Sequence, residues 1–451
     1  MRRIIFIAAA SLLMSSCGVY NKYQPTTEVA DNIFGENISA TDTANLGQIS
    51  WRELFTDPCL QTLIENGLHQ NTDLQVAHLR VESAEAALMT AKLSYLPSLS
   101  INADGGLSRY NSSSSKTYNI GVGASWELDV FGKVTNTKRG QLAALEGSKA
   151  YAQAVRTQLV ATIATSYYTL LMLDSQISIT ERTLETWRET VHTLEALKKA
   201  GMTTEASVLQ ARANCMSLET SKLSLVKSVS ETENALCALL ASPPHKIERS
   251  SMTSQLFPEK LSVGVPLQLL SNRPDVRQAE FALAQAFYAT NTARAAFYPS
   301  ITLSGNAGWT NNGGGMIINP GKWLLSAIGS LTQPLFNKGV NIANLQIAKN
   351  NQEEAALLFQ QSLLNAGKEV NDALIQWQTA RQRISIDRKQ IATLQEAVRK
   401  TELLMRHTDT NYLEVLTAQQ SLLAVELTDA QDRFDEIQGV ISLYHALGGG
   451  Q

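Results

Sequence analysis

The chain has 451 residues, 44% of them hydrophobic and 18% charged, too apolar for a disordered polypeptide. Its 38 Lys and Arg against 41 Asp and Glu leave a net charge of −3, which offers no basic surface for nucleic acid, so no nucleic-acid partner is expected. A mean hydropathy of −0.10 with one long apolar run excludes a polytopic helical membrane protein but not a β-barrel, whose alternating strands escape hydropathy averages.

Arg2-Arg3 is followed by an apolar run from Ile4 to Met14 and then by Ser15-Ser16-Cys17. The run suits a signal peptide and is too short to span a bilayer. Small residues directly before a cysteine resemble a bacterial lipobox, with Met14 where Leu is usual. Residues 1–16 are therefore expected to be removed and Cys17 to be diacylated, opening a lipidated extension over 17–58. The other cysteines, Cys59, Cys215 and Cys237, are odd in number, and 215 and 237 on one helix would lie about 33 Å apart. They are expected as small buried apolar residues. The six histidines have no ligand spacing, so neither a metal nor another cofactor is expected.

A first helix is expected over Cys59 to Ser94, in a segment 59–97 closed by Pro97, which disfavours helix in the residue before it. The segment 98–131 reads as a β-hairpin. Leu99, Ile101 and Ala103 alternate, Ser108 to Thr117 is a Ser/Asn-rich loop, and Tyr118, Ile120, Val122, Ala124, Trp126, Leu128 and Val130 form one apolar face. Over 132–241 a helix from Val134 to Ala200, opened by Gly132, precedes another from Thr204 to Ala241. A linker covers 242–274.

The plan then recurs. A helix from Asp275 to Phe297 fills 275–298. A hairpin fills 299–338, with Ile301, Leu303, Ala307 and Trp309 on one strand, Trp323, Leu325, Ala327, Leu331 and Leu335 on the other, and a loop from Thr310 to Lys322. Helices from Gly339 to Leu404 and Asn411 to Leu447 fill 339–447, before a tail at 448–451. The recurrence is visible in the residues. Thr90-Ala91-Lys92-Leu93-Ser94-Tyr95-Leu96-Pro97-Ser98 returns as Thr292-Ala293-Arg294-Ala295-Ala296-Phe297-Tyr298-Pro299-Ser300, an offset of about 202. Val208-Leu209-Gln210-Ala211 returns as Val415-Leu416-Thr417-Ala418, an offset of about 207. Heptads run through Leu209, Met216 and Leu223, and through Leu416, Leu423, Ala430, Ile437 and Tyr444.

Four amphipathic strands cannot close a membrane barrel, which needs about eight, and open edges in lipid leave backbone groups unsatisfied. Three protomers would supply twelve strands around a water-filled lumen. The expected fold class is mainly α with a membrane β-barrel: two repeats give long coiled-coil-like helices forming an α-barrel, and four strands per protomer close a twelve-stranded barrel in a homotrimer. Conduction follows without chemistry, and no nucleophile–base or carboxylate pair suggests an enzyme.

The chain resembles the TolC/OprM-type outer-membrane efflux factors, lipoprotein (NodT-like) branch, over nearly the whole mature sequence. The resemblance is carried by Asn272-Arg273-Pro274-Asp275-Val276-Arg277-Gln278-Ala279-Glu280, Trp51-Arg52-Glu53-Leu54-Phe55-Thr56-Asp57-Pro58, Tyr412-Leu413-Glu414-Val415-Leu416-Thr417-Ala418-Gln419 and Leu443-Tyr444-His445-Ala446-Leu447-Gly448-Gly449-Gly450. It implies a homotrimeric, lipid-anchored exit duct in the outer membrane, passing small toxic compounds or drugs. Its implied partners are outer-membrane lipid, a periplasmic membrane-fusion adaptor and an inner-membrane transporter of the resistance-nodulation-division class.

The resemblance also implies a periplasmic gate. Glu414 falls on the first acidic position of its constriction, and Thr417 replaces the second acid. Arg433 and Ser207 fall on positions that link helices in the closed state. Gly201, Met202 and Thr203 form one adaptor-contact tip, where Gly201 suits a left-handed helix cap. Thr408 and Asp409 belong to the other tip. The rival readings are a duct of the same fold for type I protein secretion and a soluble periplasmic coiled-coil scaffold.

Overall fold

The structure, a computed structural model, describes residues 23–24, 49–111, 113–252, 273–310, 322–407 and 412–449. The signal segment, Cys17, Thr408, Asp409 and much of the 242–274 linker lie outside these residues. Within them the first repeat reads α1 (Trp51–Leu54), α2 (Pro58–Gln70), α3 (Thr72–Leu93), β1 (Ser98–Tyr110), β2 (Ser113–Leu128), α4 (Lys133–Lys199) and α5 (Glu205–Leu239). The second reads α6 (Pro274–Ala295), β3 (Ser300–Thr310), β4 (Lys322–Thr332), α7 (Val340–His407) and α8 (Tyr412–Ala446). Among the described residues no helix is long and apolar enough to cross a membrane.

Four boundaries differ from expectation, each for a physical reason. The helix expected over Cys59–Ser94 is two helices, broken at Asn71, whose backbone is extended at φ −60 and ψ 126. Asn71 Oδ1 accepts the Leu74 N–H at 2.9 Å, and Nδ2 donates to the Leu239 carbonyl at 3.0 Å, so the side chain restarts the helix it interrupts. The loop expected over Ser108–Thr117 is largely strand, with Ser108 opposite Ser115 and Leu107 opposite Lys116. The ladder overrides the low strand preference of serine. β2 ends at Leu128, short of Val130, because Asp129 turns to cap α4, accepting the N–H groups of Val134 and Thr135 at 2.8 Å each. β4 ends at Thr332, leaving Leu335 outside it, because Pro334 has no N–H to continue a ladder.

The chain divides into two compact units. The first comprises Met1–Glu28, Leu79–Ala150 and Arg277–Gln361, and holds the sheet, in the antiparallel order β1-β2-β3-β4. Each helix-to-strand crossing is stitched by a side chain to a backbone carbonyl. Trp126 Nε1 donates to the Tyr95 carbonyl at 2.9 Å, and Gln333 Nε2 donates to the Phe297 carbonyl at 3.0 Å. Phe131 and Tyr298 stack at 5.1 Å. Both strand-to-helix returns use a glycine of positive φ, Gly132 at 68 and Gly339 at 79, a conformation costly for other residues.

The second unit comprises Val29–His78, Tyr151–Val276 and Ser362–Gln451. Its core explains the Trp51–Pro58 motif. Trp51, Phe55, Leu60 and Ile64 are fully buried with Tyr167, Tyr168 and Tyr444. Phe55 meets Tyr444 edge-on at 6.2 Å, and the Tyr444 hydroxyl donates to the Ile49 carbonyl at 2.9 Å. Asp57 Oδ1 caps α2 through the Cys59 N–H, while Oδ2 accepts from the Tyr167 hydroxyl at 2.6 Å and from Ser250. These contacts fix α1 and the turn into α2 against α4 and α8. Cys215 and Cys237 are buried free thiols, and Cys59 is half-buried.

Candidate functional site

The sheet is the first functional element, and its register decides what it can face. Residues directly opposite each other on antiparallel strands point to the same side. Leu99, Ile101 and Ala103 pair with Ala124, Val122 and Ile120, and those of β2 pair in turn with Gly305, Ala307 and Trp309. Ile301, Leu303 and Ala307 pair with Leu331, Gly329 and Leu325. One apolar face therefore runs unbroken across all four strands. On β2 it extends from Leu128 to Tyr118, the length of a tilted strand crossing a bilayer core. Towards the β1–β2 turn the same face becomes polar at Arg109, Ser114 and Lys116.

The opposite face is mostly serine, threonine, asparagine and glycine, with carboxylates at Asp104, opposite Asn119, and Glu127, opposite Thr302. Ser100, Asn102, Ser125, Ser304, Asn306 and Ser330 are on it, and Leu324 and Ile328 of β4 interrupt it. Gly121 and Gly308 face each other there at close backbone approach, and a Cβ on Gly308 would overlap the β2 main chain. That accounts for the Gly121-Val122-Gly123 run. β1 and β4 each pair on one side only, so two rows of backbone groups are left open.

The helical seams differ from one another. On α8, Leu416, Ala430, Ile437 and Tyr444 are buried within the protomer. On α5, Leu209, Met216 and Leu223 are 53%, 64% and 70% exposed. The α5 seam has the spacing of a helix interface and is left exposed among the described residues. At the start of α8, Leu416 packs with Leu194, Val208 and Ala211, which fixes that turn against α4 and α5.

The turn carries the expected constriction residues. Glu414 lies in the first turn of α8 and is exposed; Thr417, one turn on, is exposed too, with its hydroxyl donating to the Leu413 carbonyl at 2.7 Å. The spacing puts both on one face. Arg433 is nineteen positions beyond Glu414 and pairs with Asp429 of its own helix at 2.7 Å, so its ion pair lies within α8. Ser207 is buried and meets Thr204, the residue that caps α5, at 2.9 Å. At the tip, Gly201 has φ +77, and the Met202 and Gly201 N–H groups return to the Leu197 and Lys198 carbonyls at 2.9 Å each. This is the left-handed cap expected there. Met202 is exposed, Thr203 is half-buried, and Lys198 pairs with Glu205 across the turn.

Several groups escaped the sequence reading. Gln419, buried between helices, donates to Glu402 at 3.1 Å and Thr190 at 3.4 Å. Arg249 joins Asp174 at 2.6 Å to Glu233 at 2.5 Å. Asp432 is fully buried near Arg383 and Asp387. For Gln419 and Asp432 the only signal was polarity at positions flanking the α8 heptad, and Arg249, outside any helix, had none. Among the described residues no group of three or more potential metal ligands comes together.

A model of the family described as outer membrane efflux protein matches residues 63–242 and 265–449, one stretch in each repeat. The cation efflux system protein CusC of Escherichia coli (strain K12) is 30% identical over 446 residues, 98% of each chain. The antibiotic efflux pump outer membrane protein ArpC of Pseudomonas putida is 28% identical over 466 residues, covering 100% of this chain and 96% of its own. The solved outer-membrane channel OprN superposes with a TM-score of 0.87 at 26% identity, over 96% of this chain and 99% of that one.

Proposed function

The chain belongs to the outer membrane efflux protein family, and from that premise we propose how its parts divide the work of an exit duct. It is an outer-membrane channel of a tripartite efflux pump, a conduit and not an enzyme, acting as a homotrimer with an adaptor and an inner-membrane transporter. The observation that carries our reading is the sheet. One face is continuously apolar, the other is polar, and both edges are open. Three copies joined edge to edge bring every edge group into a ladder, turn the apolar face to lipid and the Ser/Thr/Asn face to a wet lumen. The open α5 seam is a second surface for the neighbouring copy.

The finer roles extend this reading. Cys17 takes the acyl chains that add an anchor in the outer-membrane lipid to the one the strands provide. The turn at Gly201, Met202 and Thr203, with Thr408 and Asp409 of the second tip, receives the adaptor. The transporter is of the resistance-nodulation-division class, as the resemblance implies, and it selects small toxic solutes that the duct passes on. Glu414, exposed on the first turn of α8, lines the constriction, with Thr417 beside it in place of a second acid. Ser207 steadies that end from within through the α5 cap, while Arg433, about 28 Å further along α8, pairs with Asp429 and steadies the helix that carries Glu414.

Planar-bilayer recording tests the reading. The purified chain should form cation-preferring pores, and Glu414→Gln should keep conductance while lowering that preference, since three carboxylates leave the narrow ring. Absence of pores would sink the duct, whereas unchanged selectivity would remove only Glu414 from the constriction.

A further inference from the structure

α7 and α8 share a buried acidic contact that conduction does not require. Asp432 on α8 has 0% of its side chain exposed, and Asp387 on α7 is buried within hydrogen-bonding reach of it. Neither oxygen of Asp432, nor Oδ2 of Asp387, receives a hydrogen bond from any donor among the described residues. Arg383 Nη2 on α7 lies 2.9 Å from Asp432 Oδ1 as an ion contact outside hydrogen-bonding alignment, and its side chain is half in solvent. Among the other cations near the pair on these two helices, Arg381 of α7 is engaged elsewhere, with Glu436 of α8 at 3.5 Å. Asp435 adds a further negative group and accepts from Gln431 at 2.9 Å, while Arg433 is held by Asp429 at 2.7 Å.

Two ionised carboxylates are both acceptors, so they cannot bond to one another, and one guanidinium cannot neutralise both. A single proton resolves both deficits. It gives the pair a donor, and it reduces two negative charges to one, which Arg383 balances. We propose that Asp387 and Asp432 form a proton-binding site, holding one shared proton while α7 and α8 are packed together, and that losing this proton weakens their packing.

Burial first, and then the contact with Asp387, push the Asp432 carboxyl up to about 6, with Arg383 offsetting them only in part. A carboxyl raised in the folded state binds its proton more tightly there than in the unfolded chain. The packed arrangement is therefore favoured in mild acid and loses that support as the pH rises through about 6.

Infrared difference spectroscopy of the full-length protein in detergent, titrated from about pH 5 to about pH 8 around that value, tests the site. The carbonyl band of a neutral carboxylic acid should disappear across this range in the wild type. Its amplitude should drop by one carboxyl in both Asp387→Asn and Asp432→Asn, because either change leaves one carboxylate paired with Arg383. Glu426→Gln should retain it, which separates the pair from Glu426, another carboxyl raised by burial. The wild-type unfolding midpoint should fall as the pH rises through about 6, and it should fall less in the two Asn variants. A band of wild-type amplitude in either Asn variant, or midpoints that fall in both as steeply as in the wild type, would overturn the proposal.

Discussion

The two repeats agree in the bonds they make more closely than in the residues that make them. Asn71 and Arg273 stand about 202 positions apart, and each donates to the carbonyl of the last turn of its repeat's final helix: Leu239 at 3.0 Å, and Ala446, about 207 positions on, at 2.8 Å. Trp126 and Gln333 likewise hold the carbonyls of Tyr95 and Phe297. The shared element is a buried backbone acceptor, which needs a donor whatever side chain supplies it. The same comparison singles out Ala241, which has φ 50 where the second repeat has Gly448 at φ 77. Both close a helix with the same paired returns, from Ser242 to Cys237 and from Gly449 to Tyr444, each at 2.9 Å. Since the left-handed conformation costs a residue with a Cβ about 1 kcal/mol, Ala241→Gly should raise stability by about that amount, and Gly448→Ala should lower it, in urea unfolding of the detergent-solubilised protein. Acid should act oppositely on two carboxylates. Burial raises the Asp275 carboxyl, but Arg273 at 2.7 Å outweighs it and holds the group below the usual range. This pair therefore supports the fold above that range and fails as pH falls through it, while Asp432 gains its proton.

At the scale of elements, a side chain's consequence depends on the face it occupies. Val122 lies on the apolar face of β2, and Ser304 on the polar face of β3. Val122→Lys should cost about 2–4 kcal/mol for a cation near the bilayer centre and deplete the protein from the outer membrane, as read by fractionation. Ser304→Lys should insert normally and change only ion selectivity. The heptad seams give a parallel contrast. Met216→Glu, on the exposed α5 seam, should leave helix content by circular dichroism unchanged and shift light scattering from trimer towards monomer. Leu416→Ala, in the buried α8 cluster, should destabilise the protomer by about 2–4 kcal/mol through the cavity it leaves, with assembly intact in the folded fraction.

For the whole molecule, assembly and anchoring are separable. The sheet alone supplies a lipid-facing surface, so acylation is an additional anchor. Cys17→Ser should abolish palmitate labelling, while detergent-stable trimers still form and conduct. Loss of trimers in that variant would make the acyl chain a requirement for assembly. The open rows of β1 and β4 argue against a stable monomer in lipid, where each unsatisfied backbone group costs several kcal/mol.

The repeated plan, the four strands and the long helices were all legible in the order of residues. Each rests on a periodicity that neighbouring residues express without help from elsewhere: alternation from Tyr118 to Leu128, and unbroken helical spacing from Lys133 to Lys199. The turns at Gly132, Gly201 and Gly339 were legible too, because a positive φ selects glycine locally. The exposed turn holding Glu414 and Thr417 could be found through the Tyr412–Gln419 motif. Other features emerge only once distant segments meet. The break at Asn71 depends on a carbonyl 168 residues away, and the two heptads look alike until burial shows one closed and the other open. Asp387 and Asp432 are 45 residues apart on different helices, and nothing in either helix alone announces the other. Local periodicity fixes which face a residue occupies, but what meets that face is set by contacts between segments distant in the chain, and these determine both the cost of a buried charge and the surfaces left for another copy.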